Sequence, residues 1–134
     1  MSKEPEASIL IAAFEQLAIT RRCLQALEET LTGKLPYEVL FVDDGSRDGT
    51  VEYLQTLGEP FRVFFNEERK GFAANNNFAA RRAGGEYLFF LNKDVFVDGD
   101  WFIPMIEALR NGKDVGMVGN VQKLARNGRY DHMG

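Results

Sequence analysis

Residues 37–50, "YEVLFVDDGSRDGT", change character halfway along. The first half is a run of strand length, apolar on both faces near its end, and it closes on two consecutive acids, Asp43 and Asp44. The second half turns on glycine. Gly45, Ser46 and Gly49 permit tight backbone geometry, and Ser46 is placed to cap the helix that follows. A strand that is apolar on both faces belongs inside a sheet with both surfaces covered.

The same alternation extends outward in both directions. "SILIAAF" (8–14) reads as a strand. "EQLAITRRCLQALEETL" (15–31) reads as a helix with Leu17, Leu24, Leu27 and Leu31 on one face, stopped at Gly33. A short helix after Gly49 ends near Gly58, and "FRVFFNE" (61–67) is the third strand. "RKGFAANNNFAARRAGG" (69–85) is a loop and a helix that the Gly84–Gly85 pair ends, and "EYLFFLN" (86–92) is the fourth strand. "GDWFIPMIEALRNG" (99–112) is helical with Pro104 in its first turn, and "DVGMVGNV" (114–121) is a fifth strand. Residues 1–7 read as a flexible tail, and "QKLARNGRYDHMG" (122–134) shows no clear element. Phe64, Phe65, Phe89 and Phe90 are read as core.

Regular strand–helix alternation predicts an α/β fold, a three-layer α/β/α sandwich with a mainly parallel sheet in one domain spanning 8–134. Ligands of such sheets bind outside the carboxyl ends of the strands. The polar residues collect there: Glu15 after the first strand, Asp43 and Asp44 after the second, Asn66 and Glu67 after the third, and Asn92, Lys93 and Asp94 after the fourth.

The totals narrow the partners. The chain has 134 residues, one cysteine and a net charge of −4. That balance gives no general attraction to nucleic acid. Cys23 has no internal partner for a disulfide, which fits a reducing compartment. No apolar stretch approaches the roughly 18 residues of a membrane span. The start, "MSKEPEAS", is too polar for a signal peptide. A cytoplasmic protein is expected, with peripheral attachment at the inner face of a membrane kept open.

Adjacent side chains on a strand point to opposite faces, so one of Asp43 and Asp44 can reach a ligand while the other braces the turn. Acidic tips on one sheet edge suit a divalent cation, Mn²⁺ or Mg²⁺, shared between protein oxygens and a diphosphate. Asp94 is the best metal candidate, because it follows a strand directly and has no capping duty. Two rivals fit less well. A haloacid-dehalogenase-type phosphatase needs two aspartates two residues apart facing one phosphate, whereas these are consecutive and on the second strand. The dinucleotide fingerprint G-x-G-x-x-G is missing after the first strand.

Taken together, the motifs resemble the nucleotide-sugar-binding part of family 2 glycosyltransferases, which have the GT-A fold. "SILIAAFEQLAITRRCLQAL" is similar to the family's opening strand and leucine-rich helix. "VDDGSRDGT" matches V-D-D-G-S-x-D-G-T. "NEERKGFAANNNFAARRAGGEYLFFLNKDV" is similar to the family's N-x-G-x-x-x-A-x-N-x-G and A-x-G-E-Y run, which ends in a metal-binding D-x-D. The resemblance covers about Ser8 to Val121. There are departures. The family's Pro-Thr-Tyr-Asn is Ala12, Ala13, Phe14 and Glu15 here, the Gly two residues after Asn77 is Ala79, and D-x-D is Asn92-Lys93-Asp94.

The resemblance implies a UDP-, GDP- or dTDP-linked sugar as donor and a saccharide or lipid-linked glycan as acceptor, with metal-assisted, inverting transfer. Ala12, Ala13, Phe14, Glu15, Asp43 and Asp44 would line the base and ribose. Asn77 would lie along the nucleotide-sugar, Asn92 and Lys93 near the ribose or diphosphate, and Asp94 would hold the metal. The family's general base lies beyond any segment matched here. The chain is therefore expected to be an amino-terminal, donor-binding part, inactive alone and prone to self-association at an uncovered sheet edge. The alternative is a non-catalytic nucleotide-binding or assembly module of the same fold.

Overall fold

A computed structural model describes residues 4–112 and the strands at 121–123 and 130–133. The chain divides into two units, residues 1–97 and 98–134.

The first unit carries a four-stranded parallel sheet. Its strands are β1 (Ala7–Ala13), β2 (Tyr37–Asp43), β3 (Phe61–Phe65) and β4 (Tyr87–Phe90), in the spatial order β3-β2-β1-β4. β1 pairs with β2 from Ala7↔Tyr37 to Ala13↔Asp43, and with β4 from Ala7↔Tyr87 to Leu10↔Phe90. β3 runs beside β2 from Val39↔Phe61 to Asp43↔Phe65. All four carboxyl ends therefore lie along one edge.

Helices α1 (Leu17–Leu31), α2 (Thr50–Leu54) and α3 (Phe72–Arg82) connect the strands. Strand side chains alternate between faces. Leu10, Leu40 and Val42 pack on one face with Ala79 of α3, and Phe64 and Phe78 complete that cluster. Ile9, Ile11, Val39 and Phe41 point the other way and are fully buried. α1 buries Cys23, Leu24, Leu27 and Leu31, the stripe its helical spacing predicts, and α2 buries Leu54.

At the amino ends of the strands the sheet is tied by a buried carboxylate. Glu38 accepts hydrogen bonds from the Ser8 hydroxyl (2.6 Å), the Gly84 amide (2.7 Å) and Arg62 Nη1 (2.9 Å). Burial alone would raise its pKa, but these donors outweigh it and hold Glu38 below the usual carboxylate value. The Gly85 amide donates to the Ser8 hydroxyl (2.9 Å), and a Cβ at Gly85 would lie 2.7 Å from the Ala7 carbonyl carbon. Only glycine allows the turn before β4 to approach β1 so closely.

Two expectations change. Phe89 is buried and Phe64 half-buried, but Phe65 is 39% and Phe90 60% exposed. Neighbours in a strand point to opposite faces, so a run of aromatics does not imply that all are core. The "unstructured" stretch after residue 121 contains β5 (Val121–Lys123) and β6 (Tyr130–Met133), paired antiparallel from Val121↔Met133. Asn127-Gly128, between them, was the available hairpin signal. The fifth strand read at 114–121 lies, apart from Val121, outside the described residues. In the second unit, α4 (Phe102–Asn111) has Pro104 in its first turn as expected. Among the described residues, no helix is long and apolar enough to cross a membrane.

Candidate functional site

The strand order reverses at β1. The chain steps outward from β1 to β2 to β3, then returns to the opposite side of β1 to form β4. The connection into β4 runs through α3, which packs on the Leu10–Leu40–Val42 face, and in open α/β sheets the ligand crevice lies outside the carboxyl ends of the strands at such a reversal. The ends of β1, β2 and β4 are the segments on which the sequence concentrates its polar residues.

Asp43 is fully buried and closed on its own turn. Its carboxylate accepts from the Ser46 amide (2.9 Å) and the Ser46 hydroxyl (2.6 Å). The same hydroxyl accepts from the Glu15 amide (2.6 Å). Ser46 therefore does not cap α2, contrary to the sequence expectation, because Asp43 and Glu15 consume its hydroxyl. Asp48 serves the helix start instead, accepting from the Thr50 amide (3.1 Å), the Thr50 hydroxyl (2.6 Å) and the Leu17 amide (3.3 Å).

Asp44, pointing the other way, gathers the loop after β3. It accepts from the Lys70 amide (2.7 Å), the Gly71 amide (3.1 Å) and Asn66 Nδ2 (3.2 Å), with Arg69 Nε 3.7 Å away. Asn66 also donates to Asn75 Oδ1 (2.7 Å). Burial opposes ionisation of Asp44, but the Lys70 amide, Asn75, Asn66 and the Gly71 amide together lower its pKa from 3.8 to about 2. Gly45, directly after the two acids, permits the turn at φ +90°. Both carboxylates thus hold loops, and the division of labour expected between them is only half present: each braces a different one.

Glu15 and Gln16 both have left-handed backbones, φ 54° and 60°. Glu15 Oε2 also accepts from the Arg47 amide (3.3 Å). Phe14 is half-buried, and the Arg69 guanidinium carbon lies 3.9 Å from its ring centroid. Ala12 and Ala13 end β1 beside Val42 and Asp43.

Lys93 turns back toward the end of β1. It is half-buried, and Nζ donates to the carbonyl oxygens of Phe14 and of Glu15 (2.8 Å to the latter). Burial lowers its pKa, while the carboxylates of Asp48, Asp94, Asp43 and Glu15 pull it back up. All four acids therefore act on one ammonium. Asn92 and Asp94 are exposed at the β4 tip, in a turn closed by the Val95 amide on the Asn92 carbonyl (3.1 Å). The Arg22 guanidinium stacks on Phe96 at 4.2 Å, holding this segment against α1.

Asn77 is exposed on α3, whereas Asn75 and Asn76 are buried. Asn75 is the amide joined to Asn66 and Asp44. Helical spacing could have found it, since Asn75 lies four residues before the apolar, buried Ala79. Asn66, Arg69 and Ser46 complete the network. Ser46 has a near partner in Asp43, but its link to Glu15 and the links of Asn66 and Arg69 to Asp44 span 22 or more positions.

Among the described residues, no group of three His, Cys, Asp or Glu side chains forms a ready metal cage. Asp94 nevertheless fits a magnesium- or manganese-type site. It is a hard oxygen donor, exposed at the crevice, and accepts no hydrogen bond from the described residues. Such ions are commonly held by one or two carboxylates, with substrate phosphates supplying the remaining ligands.

Residues 8–133 match the family model described as glycosyl transferase family 2. Glycosyltransferase AglE of Haloferax volcanii is 30% identical over 136 residues, covering 95% of this chain and 44% of AglE. This chain thus spans less than half the length of that relative. Among solved structures, residues 1–349 of S. aureus TarS in complex with UDP match with a TM-score of 0.70 at 20% identity, covering 79% of this chain and 32% of that one. Mannosyltransferase PcManGT from Pyrobaculum calidifontis, in complex with GDP-Man and Mn²⁺, matches with a TM-score of 0.62 at 23% identity, covering 72% of this chain and 30% of that one. The length of chain matched, the strand order and the motifs at the strand ends agree: the chain belongs to glycosyl transferase family 2 and has the GT-A fold.

Proposed function

We propose that the crevice between β1 and β4 binds the diphosphate of a nucleotide-sugar donor, for metal-assisted, inverting transfer of the sugar to an acceptor hydroxyl. The observation that carries this reading is the exposed Asp94 carboxylate, with no hydrogen-bond donor of its own among the described residues, at the reversal point of the sheet. Asp94 would hold Mn²⁺ or Mg²⁺. A bound cation there offsets charge on a departing diphosphate. The UDP of the TarS complex and the GDP-Man and Mn²⁺ of the PcManGT complex support the ligand class.

This chain's own residues would do the holding. Ala12, Ala13 and Phe14 offer the end of β1 and an aromatic ring to the nucleoside, with Asp43 and Asp44 fixing the loops around it. Asn92 lies beside the diphosphate, and Asn77 faces solvent further along α3. The base that deprotonates the acceptor, a saccharide or lipid-linked glycan, would come from outside these residues.

Titration calorimetry with UDP, GDP and dTDP, with and without Mn²⁺, tests the reading. Expected is a metal-dependent diphosphate signal that Asp94→Ala abolishes. Tight metal-free binding that ignores Asp94→Ala would favour the non-catalytic nucleotide-binding module, and no binding at all would sink both.

A further inference from the structure

Successive carbonyls along a strand point to opposite sides, so one cation does not ordinarily meet two in a row. Lys93 Nζ meets the carbonyls of both Phe14 and Glu15. The chain permits this because Glu15 leaves the extended region for φ 54°. A left-handed backbone at a residue other than glycine is sterically unfavourable, and the following Gln16 adopts one as well. Something must hold this pair of residues in place.

Three contacts do so, from two parts of the chain. The Glu15 amide donates to Ser46, the Glu15 carboxylate accepts from the Arg47 amide, and the Glu15 carbonyl accepts from Lys93. The first two come from the loop after β2. Lys93 alone comes from the β4 side. A continuous path results, from Asp43 to the Ser46 hydroxyl, to the Glu15 backbone, to the Lys93 ammonium, whose chain neighbour is Asp94. The ammonium ends on two carbonyls although its chain neighbour Asp94 and its partner Glu15 both carry carboxylates. A surface lysine free to choose would pair with an acid.

Resting on the donor-site reading above, we propose that Lys93 is a positioning residue. It spans the β1–β4 crevice, sets the Phe14–Glu15 turn, and so couples the nucleoside side of the rim (Phe14, Asp43) to the metal side (Asp94). It does not contact the ligand. Its charge supports the two converging carbonyls, which allows the turn to stand next to a polyanion and its cation.

The test compares wild type, Lys93→Met and Lys93→Arg, each confirmed folded by circular dichroism at the assay temperature. Calorimetry measures UDP, GDP and dTDP binding with and without Mn²⁺, and two-dimensional NMR follows the Glu15, Gln16 and Leu17 amides. Met keeps the length and removes the charge. Expected is about a tenfold or greater weakening of Mn²⁺-dependent binding, with those three amides shifted. Arg keeps the charge but presents a planar fork, and is expected to lose about threefold or more. If the Met variant does not fold, the Arg variant decides. A folded variant that binds within twofold of wild type overturns the clamp and leaves the donor site standing, even if its melting temperature falls. A wild type that binds none of the three nucleotides overturns the donor-site reading itself, and the clamp's role with it.

Discussion

Glu15 and Ser46 are joined across 31 positions by a 2.6 Å hydrogen bond from the Glu15 amide to the Ser46 hydroxyl, which in turn donates to Asp43. One buried hydroxyl therefore locks the end of β1 to the end of β2. Ser46→Ala removes both bonds and leaves the Asp43 carboxylate short of a donor in a dry environment. The expected loss is about 1–3 kcal/mol of unfolding free energy, read from urea denaturation at neutral pH. A change under a few tenths of a kcal/mol would show that water replaces the hydroxyl.

Asp44 makes stability depend on acid. Its folded pKa, about 2, lies below its ordinary 3.8, so folding binds the proton less well than unfolding does. The contribution is fully present above pH 3.8 and is lost as pH falls through about 2. The shift corresponds to about 2 kcal/mol. Glu38 titrates in the same direction, so the comparison is with Asp44→Asn. Urea midpoints of wild type should fall between pH 4 and 2 more steeply than those of the variant. Parallel curves would remove Asp44 from the account.

Gly85→Ala should be costly although alanine is a small addition. The new Cβ would lie 2.7 Å from the Ala7 carbonyl carbon and 2.8 Å from the Ser8 nitrogen, both backbone atoms in the sheet. The strand pairing must shift, at about 1–3 kcal/mol. Gly58→Ala, where the added Cβ meets nothing within 4 Å, is the control. Thermal melts of the two should separate by several degrees.

Cys23 should be inert in the folded protein. Burial, aided by the nearby Asp94 carboxylate, pushes its thiol up to about 12. The thiolate is the reactive species, so a disulfide reagent at pH 8 should label Cys23 only as fast as the protein opens. Labelling at the rate of a free thiol in native buffer would contradict the burial of α1's apolar stripe.

Much of this was legible in order and period. The strand–glycine–helix change at residues 37–50 identified a parallel α/β sheet, because a strand apolar on both faces has few other places to go. The leucines of α1 fell on one face as their spacing required. Asp94 has no local capping duty in the sequence, and its side chain is exposed at the β4 tip. Local pattern failed where partners are far apart. Ser46 was read as a helix cap, yet its partners are Asp43 and Glu15. Three consecutive asparagines look alike in the sequence, and only the fold joins Asn75 to Asn66. Nothing near Lys93 in the sequence signals that its ammonium turns back to β1.

The sequence by itself determined the alternation of elements, the apolar faces and the set of polar residues at the strand ends, since these follow from period and from neighbours within a few positions. Only the tertiary structure decided which of those polar groups are used up on one another and which stays available. That depends on the strand order β3-β2-β1-β4, which sets residues 14–15 and 93 side by side, and on the left-handed turn at Glu15 that aims two carbonyls at one ammonium. Contacts between residues almost 80 positions apart leave no periodic trace in the chain that makes them.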